Sequence, residues 1–469
     1  MRTEVVFTLE TLRTIVGREH VLASSEQKAP YLKEWRGRYP SEAIAVVKPA
    51  STAEVSRVVS TCAEARVGMV PIGGNTGLVG GAVSTSAQVL ISLERMRHIR
   101  HLDALGATLS VDAGCVLAEA QQTAAGAGLL LPLSLSAEGS CQIGGNVSTD
   151  AGGLNVVRYG TVRDQVLGLE VVLPDGSVLN EMRALRKNTA GYDLKQWFIG
   201  AEGTLGIVTG VVLRLFPAPA QRQTIWLSVR NTSAVLDVFD RIRSAFGSLM
   251  TAFEFMTSDT VELIGRYLDA SPPATLTSQG AHVLLELHGG ALELGEDAVL
   301  GFLSVLEQEG LSLESVVATN ESQRESLWRW RHNASAAQRL AGACIKHDIG
   351  LPLPSIPRFL DDIQAPLQAL APGSVVVAFG HIGDGNLHFT VAQPPEMTPD
   401  SFEALRNPIS SRVHGAVLAA GGTVSAEHGV GLAKRDILET QVGPVAINLM
   451  RSLKRTLDPE GLMNPGKVL

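Results

Sequence analysis

Two histidines seven residues apart, His381 and His388, flank an Asp-Gly pair in GHIGDGNLHF, Gly380 to Phe389. Asp-Gly between apolar-containing runs is a strong signal for a two-residue type I′ hairpin. With Asp384 and Gly385 as the loop, His381 faces His388 and Ile382 faces Leu387. Opposed Cβ atoms on one face lie about 4.5–5.5 Å apart. The two imidazoles are then placed to chelate one ion, while Ile382 and Leu387 point to a core. The alternative is a cross-strand histidine pair that holds nothing. Two histidines are too few for zinc, which takes three protein ligands and an open position in a catalytic site. SAEHGVG, residues 425–431, offers a carboxylate and an imidazole in succession, Glu427 and His428. Strand neighbours point to opposite faces, so a shared site needs a non-strand backbone here, which Gly429 permits. The alternative is an exposed loop pair.

An anionic substrate needs cations. LWRWRHNASAAQRLAG, residues 327–342, reads as a helix ended by Gly342, with Arg331 and Ser335 one turn apart on a shared face. CIKHDIGLP, residues 344–352, reads as a strand carrying Lys346. Arginine suits bidentate carboxylate recognition and lysine acts as a point charge. Read alone, either residue is equally at home on a solvated surface.

Glycine supplies a third kind of chemistry. PIGGNTGLVGG (71–81) follows a strand, and consecutive N–H groups in a glycine turn make an anion-binding concavity that no Cβ blocks. A denser block, AEGSCQIGGNVSTDAGGLNVVRYG, spans 137–160, and a third, GYDLKQWFIGAEGTLGIVT, spans 191–209. Apolar residues interleave each block and strands abut it, which argues against flexible linkers. A long dinucleotide lying along one domain accounts for all three. No G-x-G-x-x-G occurs, so the fold is not the Rossmann type. GLMNPGK (461–467) imitates a P-loop, but Val468 stands where Ser or Thr is required.

The elements that must hold these groups change character along the chain. AIAVVKP reads as a strand and STAEVSRVVSTCAEA as a helix capped by Ser51 or Thr52. TLSVDAG, VLGLEVVL and GIVTGVVLRLF read as strands between glycine loops, with a turn at LPDG. FPAPAQ (216–221) marks a boundary. Beyond it, strand-like TIWLSV, HVLLELHG and SVVVAFGHIG alternate with amphipathic helices at 233–248, 292–309 and 357–370, and a last helix lies near 443–457.

A chain of 469 residues predicts two or three domains. The net charge of −8, with both signs interspersed, argues against a nucleic-acid partner. The cysteines Cys62, Cys115, Cys141 and Cys344 are far apart and fit a reducing cytoplasm. The opening residues carry early acids and no apolar core, unlike a signal peptide. No run of about 18 apolar residues suggests a membrane span.

Taken in order, PIGGNTGLVGG, GSCQIGGNVSTDAGG, GYDLKQWFIGAEGTLGIVT, GHIGDGNLHF, SAEHGVGLAKRD and LDPEGLMNPGK make the chain resemble the vanillyl-alcohol-oxidase/PCMH flavoprotein superfamily. Within it, the likeness is to the D-2-hydroxyglutarate dehydrogenases, from about residue 30 to the end. The resemblance implies an α+β protein. A PCMH-type FAD-binding domain of two α/β subdomains would occupy 1–217. A substrate-binding domain with a helix-covered antiparallel sheet would occupy 218–424, and 425–469 would return to the flavin.

It also implies non-covalent FAD. Gly73, Gly74, Asn75, Thr76, Gly77 and Leu78 would hold the pyrophosphate, with Ile72 beside them. Pro132, Ser140, Gly144, Gly145, Asn146 and Gly152 would line the second block. Glu202, Gly206, Ile207, Val208 and Asn464 would complete the cofactor site. His381, His388 and Glu427 would ligate a divalent ion of zinc type, and His428 would be the catalytic base. Arg331, Ser335, Lys346 and Thr390 would bind substrate. Ser335 stands where the family has threonine and Thr390 where it has asparagine, which bears on how the distal end of the substrate is held.

The implied reaction is oxidation of D-2-hydroxyglutarate to 2-oxoglutarate by hydride transfer to flavin, with D-lactate or another D-2-hydroxy acid as the alternative. Without an iron–sulfur or haem cysteine pattern, the electrons need an external acceptor, an electron-transfer flavoprotein or a quinone. A homodimer is expected. The rival from another class is a flavin-free metal-dependent hydrolase, which leaves the glycine blocks unexplained.

Overall fold

The computed structural model of the chain describes residues 8–275, 280–291 and 294–469, without the side chain of Glu296. The chain separates into two compact units. One comprises Met1–Gly152, Gly160–Ala218 and His428–Leu469; the other comprises Gly153–Tyr159 and Pro219–Glu427. The expected partition into three consecutive segments is therefore modified. Residues 153–159 leave the first unit, and the last 42 residues, 428–469, are part of it rather than a separate piece.

The first unit is built on two main sheets. Ala45–Val47, Gln88–Ser92 and Gly68–Ile72 pair in parallel, with Val21–Leu22 antiparallel at one edge. The helix Thr52–Glu64, from STAEVSRVVSTCAEA, carries the chain from Ala45–Val47 across to Gly68–Ile72, which lie on either side of Gln88–Ser92. Ser51 is its cap, with Oγ accepting the Glu54 N–H at 3.2 Å. Val55, Val58, Val59 and Cys62 recur at helical spacing and are buried against the sheet. The second sheet is antiparallel, in the order Ile99–Asp103, Thr108–Asp112, Ile207–Arg214, Val166–Val172, Val178–Glu181. The LPDG turn joins its last two strands, with Leu173 and Ser177 bonded across it.

Among its described residues the second unit is built on one antiparallel sheet of seven strands. Their order is Glu314–Val317, Gln221–Val229, Ala281–Gly289, Met250–Thr257, Val375–Gly380, Asn386–Ala392, Cys344–Gly350. The helix expected over 327–342 begins earlier, at Glu321, because Asn320 caps it by accepting the Gln323 N–H at 3.0 Å. It ends at Ala337, and a 3-10 turn runs on to Gly342, whose φ of 82° stops it. The helix expected at 357–370 is two, Ile356–Asp362 and Gln364–Leu370. The one expected at 292–309 is described from Glu296 to Gln308, and residues 292–293 lie outside the described residues, as do residues 1–7 of the opening stretch. The last helix starts at Arg435, with a break at Gly443 (φ 80°) before Pro444. No described helix is long and apolar enough to cross a membrane, and all four cysteines are free thiols.

Candidate active site

His381 and His388 do meet, by a different route from the one their spacing suggests. In the paired strands it is Phe379, not His381, that stands opposite His388. The connection is not a two-residue loop. Ile382–Asp384 form a 3-10 turn, and Gly385 alone takes a left-handed conformation (φ 86°, ψ 3°). A type I′ turn needs positive φ at both central residues, and Asp384 is not among those with positive φ. His381 instead follows the end of its strand, where its carbonyl accepts the N–H groups of Asp384 at 3.1 Å and Asn386 at 3.2 Å. The rings still lie edge to face, with centroids 5.4 Å apart. Ile382 and Leu387 are buried, as expected.

Glu427 joins them. One donor atom from each of His381, His388 and Glu427 lies within 4.8 Å of the others, and His381 Nε2 is 3.8 Å from Glu427 Oε1. Two carboxylates absent from the expected site organise this group. Glu254, fully buried in Met250–Thr257, accepts the Nδ1–H of His381 at 2.6 Å. Asp348 sits opposite His388 in the neighbouring strand. It accepts the Glu427 backbone N–H at 2.8 Å and Asn386 Nδ2–H at 2.8 Å, and lies 3.6 Å from His388 Nδ1. The Gly153 N–H donates to Glu427 Oε1 at 3.1 Å.

The electrostatics separate the two imidazoles. Burial opposes a charge on His381, but the Glu254 carboxylate outweighs it and lifts the imidazole to about 9. Burial likewise opposes ionisation of Glu254, yet His381 and Arg331 hold it at about 2. Burial pushes His388 down to about 4, so it is a neutral imidazole at pH 7 and keeps a lone pair to offer.

The residues expected at the substrate divide. Arg331 is not on a solvated face; it is buried, with Nε donating to Glu254 Oε2 at 2.6 Å. Its guanidinium lies over the Phe379 ring, 4.9 Å from the centroid. Ser335, one turn on, is exposed, as is Lys346. Thr390 is opposite Lys346 in register, is buried, and accepts Gln338 Nε2–H at 2.9 Å.

In the first unit the glycine blocks converge on a cleft whose empty space of about 1140 Å³ includes open solvent at its mouth. Ile72, Gly73, Gly74, Asn75, Thr76, Gly77, Gly144, Gly145, Asn146, Glu202, Gly206, Ile207 and Val208 line it, and so does His428. Leu78, Pro132, Ser140, Gly152 and Asn464 are not among its lining residues. Asn464 Nδ2 donates to the carbonyls of Gly81 and Glu202 at 3.0 and 2.8 Å. Ser140 turns its side chain to the Ala137 carbonyl.

The glycines serve two different purposes. A Cβ on Gly74 would lie 2.1 Å from the Ser140 carbonyl oxygen, and one on Gly144 would lie 2.7 Å from Ala113 Cβ, so these positions pack chain on chain. A Cβ on Gly77 or Gly145 would meet no protein atom within 4 Å. The cleft also contains an unsatisfied polar atom: buried Gln142 Oε1 has no hydrogen-bond partner. Open backbone beside an orphaned acceptor is what a bound polar cofactor would complete.

His428 is held in this cleft by an unusual backbone. Its φ is 66°, followed by Gly429 at 81° and Gly431 at 50°, so the segment is not a strand. Glu202 fixes it: Oε1 accepts the Val430 N–H at 2.7 Å and Oε2 the Gly431 N–H at 2.8 Å. Glu202 therefore lines the cleft while using its carboxylate on the chain.

Residues 218–468 match the family FAD linked oxidases, C-terminal domain, and residues 43–181 match the FAD binding domain family. The chain belongs to the FAD-linked oxidases. FAD is the cofactor of this family, which sets aside the flavin-free hydrolase. Relatives of this FAD-linked oxidase include the mitochondrial D-2-hydroxyglutarate dehydrogenase of Bos taurus, 36% identical over 97% of this chain and 82% of its own. The D-2-hydroxyglutarate dehydrogenase of Stutzerimonas stutzeri is 35% identical over 98% of both chains. A D-2-hydroxyglutarate–pyruvate transhydrogenase of Saccharomyces cerevisiae is 34% identical over 98% of this chain and 94% of its own. Among solved structures, substrate-bound p-cresol methylhydroxylase superposes with a TM-score of 0.76 at 16% identity, covering 98% of this chain and 96% of that one. Alkyldihydroxyacetonephosphate synthase gives 0.74 at 17%, covering 97% and 85%. These likenesses establish the α+β, PCMH-type FAD-binding fold.

Proposed function

We infer that this FAD-linked oxidase oxidises D-2-hydroxyglutarate to 2-oxoglutarate and hands the electrons to an external acceptor. The observation that carries this reading is the grouping of buried His381 with half-buried His388 and Glu427 in a chain whose relatives include D-2-hydroxyglutarate dehydrogenases over nearly full length. The donor set fits a divalent ion of zinc type: two imidazole nitrogens and a carboxylate, with Glu254 hydrogen-bonded to His381 and Asp348 3.6 Å from His388. Such an ion supplies Lewis acidity that lowers the pKa of a ligated hydroxyl. FAD supplies the two-electron sink, and we propose that it is non-covalent, since burial raises the Cys141 thiol and weakens it as a nucleophile.

The chain's own residues do the rest. His428 takes the hydroxyl proton, an imidazole being suited to proton transfer near neutral pH. Arg331 anchors a carboxylate through its outer nitrogens, its plane already set by the Nε bond to Glu254. Lys346 adds a point charge at the other end of the substrate, and the two cations favour a dicarboxylate. The second reading, a monocarboxylate such as D-lactate, draws on Thr390, whose buried hydroxyl accepts Gln338 Nε2–H and has a single proton to offer a distal carboxylate. The cysteines have no iron–sulfur or haem ligand spacing, so an electron-transfer flavoprotein or a quinone is the proposed acceptor. The free thiols fit a reducing compartment, and we propose the cytoplasm.

Anaerobic bleaching of the bound flavin by D- and L-2-hydroxy acids, before and after a chelator, tests the reading. D-2-hydroxyglutarate is expected to bleach fastest, and chelation to abolish it. Equal or faster bleaching by D-lactate overturns the substrate, and bleaching that survives chelation overturns the metal.

A further inference from the structure

Glu254 lies in the strand MTAFEFMT, among Ala252, Met256 and Leu284 of the apolar cluster on that face of the sheet. It is fully buried, and each of its oxygens has one charged partner: Oε1 takes His381 Nδ1–H and Oε2 takes Arg331 Nε–H, both at 2.6 Å. Stability does not explain it. A buried ion pair commonly contributes no more than well-packed apolar residues of similar volume, and the surroundings here would accept one. A carboxylate does what an apolar side chain cannot. It holds one proton of His381 on Nδ1, so the proton that an ion displaces from the ring is the one on Nε2, and Nε2 is the nitrogen that faces Glu427.

The same carboxylate sets the Arg331 guanidinium over Phe379. Phe379 stands opposite His388 in register, with ring centroids 5.1 Å apart. His388 packs on His381, which returns to Glu254. Glu254, Arg331, Phe379, His388 and His381 thus form a closed ring of contacts.

We propose that Glu254 is a positioning residue that locks His381 in the tautomer an ion requires and fixes Arg331 with the same carboxylate, so that ion and substrate carboxylate bind one rigid frame. The proposal rests on the reading of His381 as a ligand and Arg331 as an anchor. Glu254→Gln keeps the volume but has one acceptor oxygen, so its amide N–H₂ must face either His381 Nδ1–H or Arg331 Nε–H, and one bond is lost.

The test uses the full FAD-loaded chain, stripped of metal and titrated with Zn²⁺ against a chromophoric chelator. Glu254→Gln is expected to lower zinc affinity about 10–100-fold and to weaken 2-oxoglutarate binding, read from the flavin spectrum, in the metal-free protein as well. Zinc affinity within about threefold of wild type overturns the proposal while leaving the metal site standing. A wild-type chain that binds no zinc overturns both. Nitrogen-15 histidine spectra of the zinc-loaded wild type give a readout independent of the variant's folding: His381 is expected to carry its proton on Nδ1 with Nε2 bound, and the opposite tautomer refutes the proposal.

Discussion

Glu202→Gln probes how the first unit holds His428. The Glu202 carboxylate accepts two backbone N–H groups, from Val430 and Gly431. Glutamine can accept one of them through its single oxygen. Its N–H₂ then faces the other N–H, so a charge-assisted bond is lost and a buried donor is left unpaired. The lost bond is about 1.5–3 kcal/mol and the unpaired donor about 1–3 kcal/mol. Working against this, burial raises the Glu202 carboxyl above its ordinary value although the two amides pull it down, so replacing the charge relieves part of its desolvation. The net loss is about 2 kcal/mol, which for a unit of this size lowers Tm by about 4–8 °C.

Thermal unfolding of the FAD-loaded chain measures that loss, and amide hydrogen exchange locates it at Val430 or Gly431. The pH dependence has a definite sign. A carboxyl whose folded value is raised opposes folding once it ionises, so wild type loses stability relative to Glu202→Gln as pH climbs from 4.5 through the raised value. A Tm shift under about 1 °C together with unchanged exchange at both amides would refute the idea that Glu202 clamps this segment.

Two further predictions concern the cleft and the sheet. Gly145→Ala places a methyl where no protein atom lies within 4 Å; it is expected to reduce FAD retention with little change in apoprotein stability. Gly74→Ala drives a Cβ to 2.1 Å from the Ser140 carbonyl and is expected to destabilise the apoprotein itself, so paired flavin-content and unfolding measurements separate the two positions. Thr390→Val removes the acceptor of buried Gln338 Nε2–H. Denaturant unfolding should show a loss of about 1–3 kcal/mol, and a neutral result would mean that Gln338 finds another partner.

Residue types and spacing pair His381 with His388, and the family resemblance adds Glu427 to them, but the structure makes the histidine pairing by a different turn. Local rules see an Asp-Gly hairpin; they do not see that only Gly385 goes left-handed and that a 3-10 turn returns His381 to His388. Arg331 was found, but not its burial, because its partner Glu254 lies 77 positions away. Glu254 nevertheless left a local trace. In MTAFEFMT it is the single charged residue of an otherwise buried strand, and a carboxylate in such a run must find cations. Asp348 left less, since alternation in CIKHDIG puts it on one face with Lys346 but cannot say that His388 stands opposite.

Glycine density was the least specific of the signals. It located the cleft, because a turn that lets backbone approach a ligand and a turn that lets backbone approach backbone have the same composition. It could not tell Gly77 and Gly145, which open into the cleft, from Gly74 and Gly144, which wedge neighbouring segments together. An unmet need in the cleft also belongs to a residue that is not a glycine. Gln142 is buried with its acceptor orphaned, and a buried acceptor without a partner costs about 1–3 kcal/mol unless something supplies a donor. The glycines make room, but Gln142 gives the protein an energetic reason to have that room filled by a polar ligand.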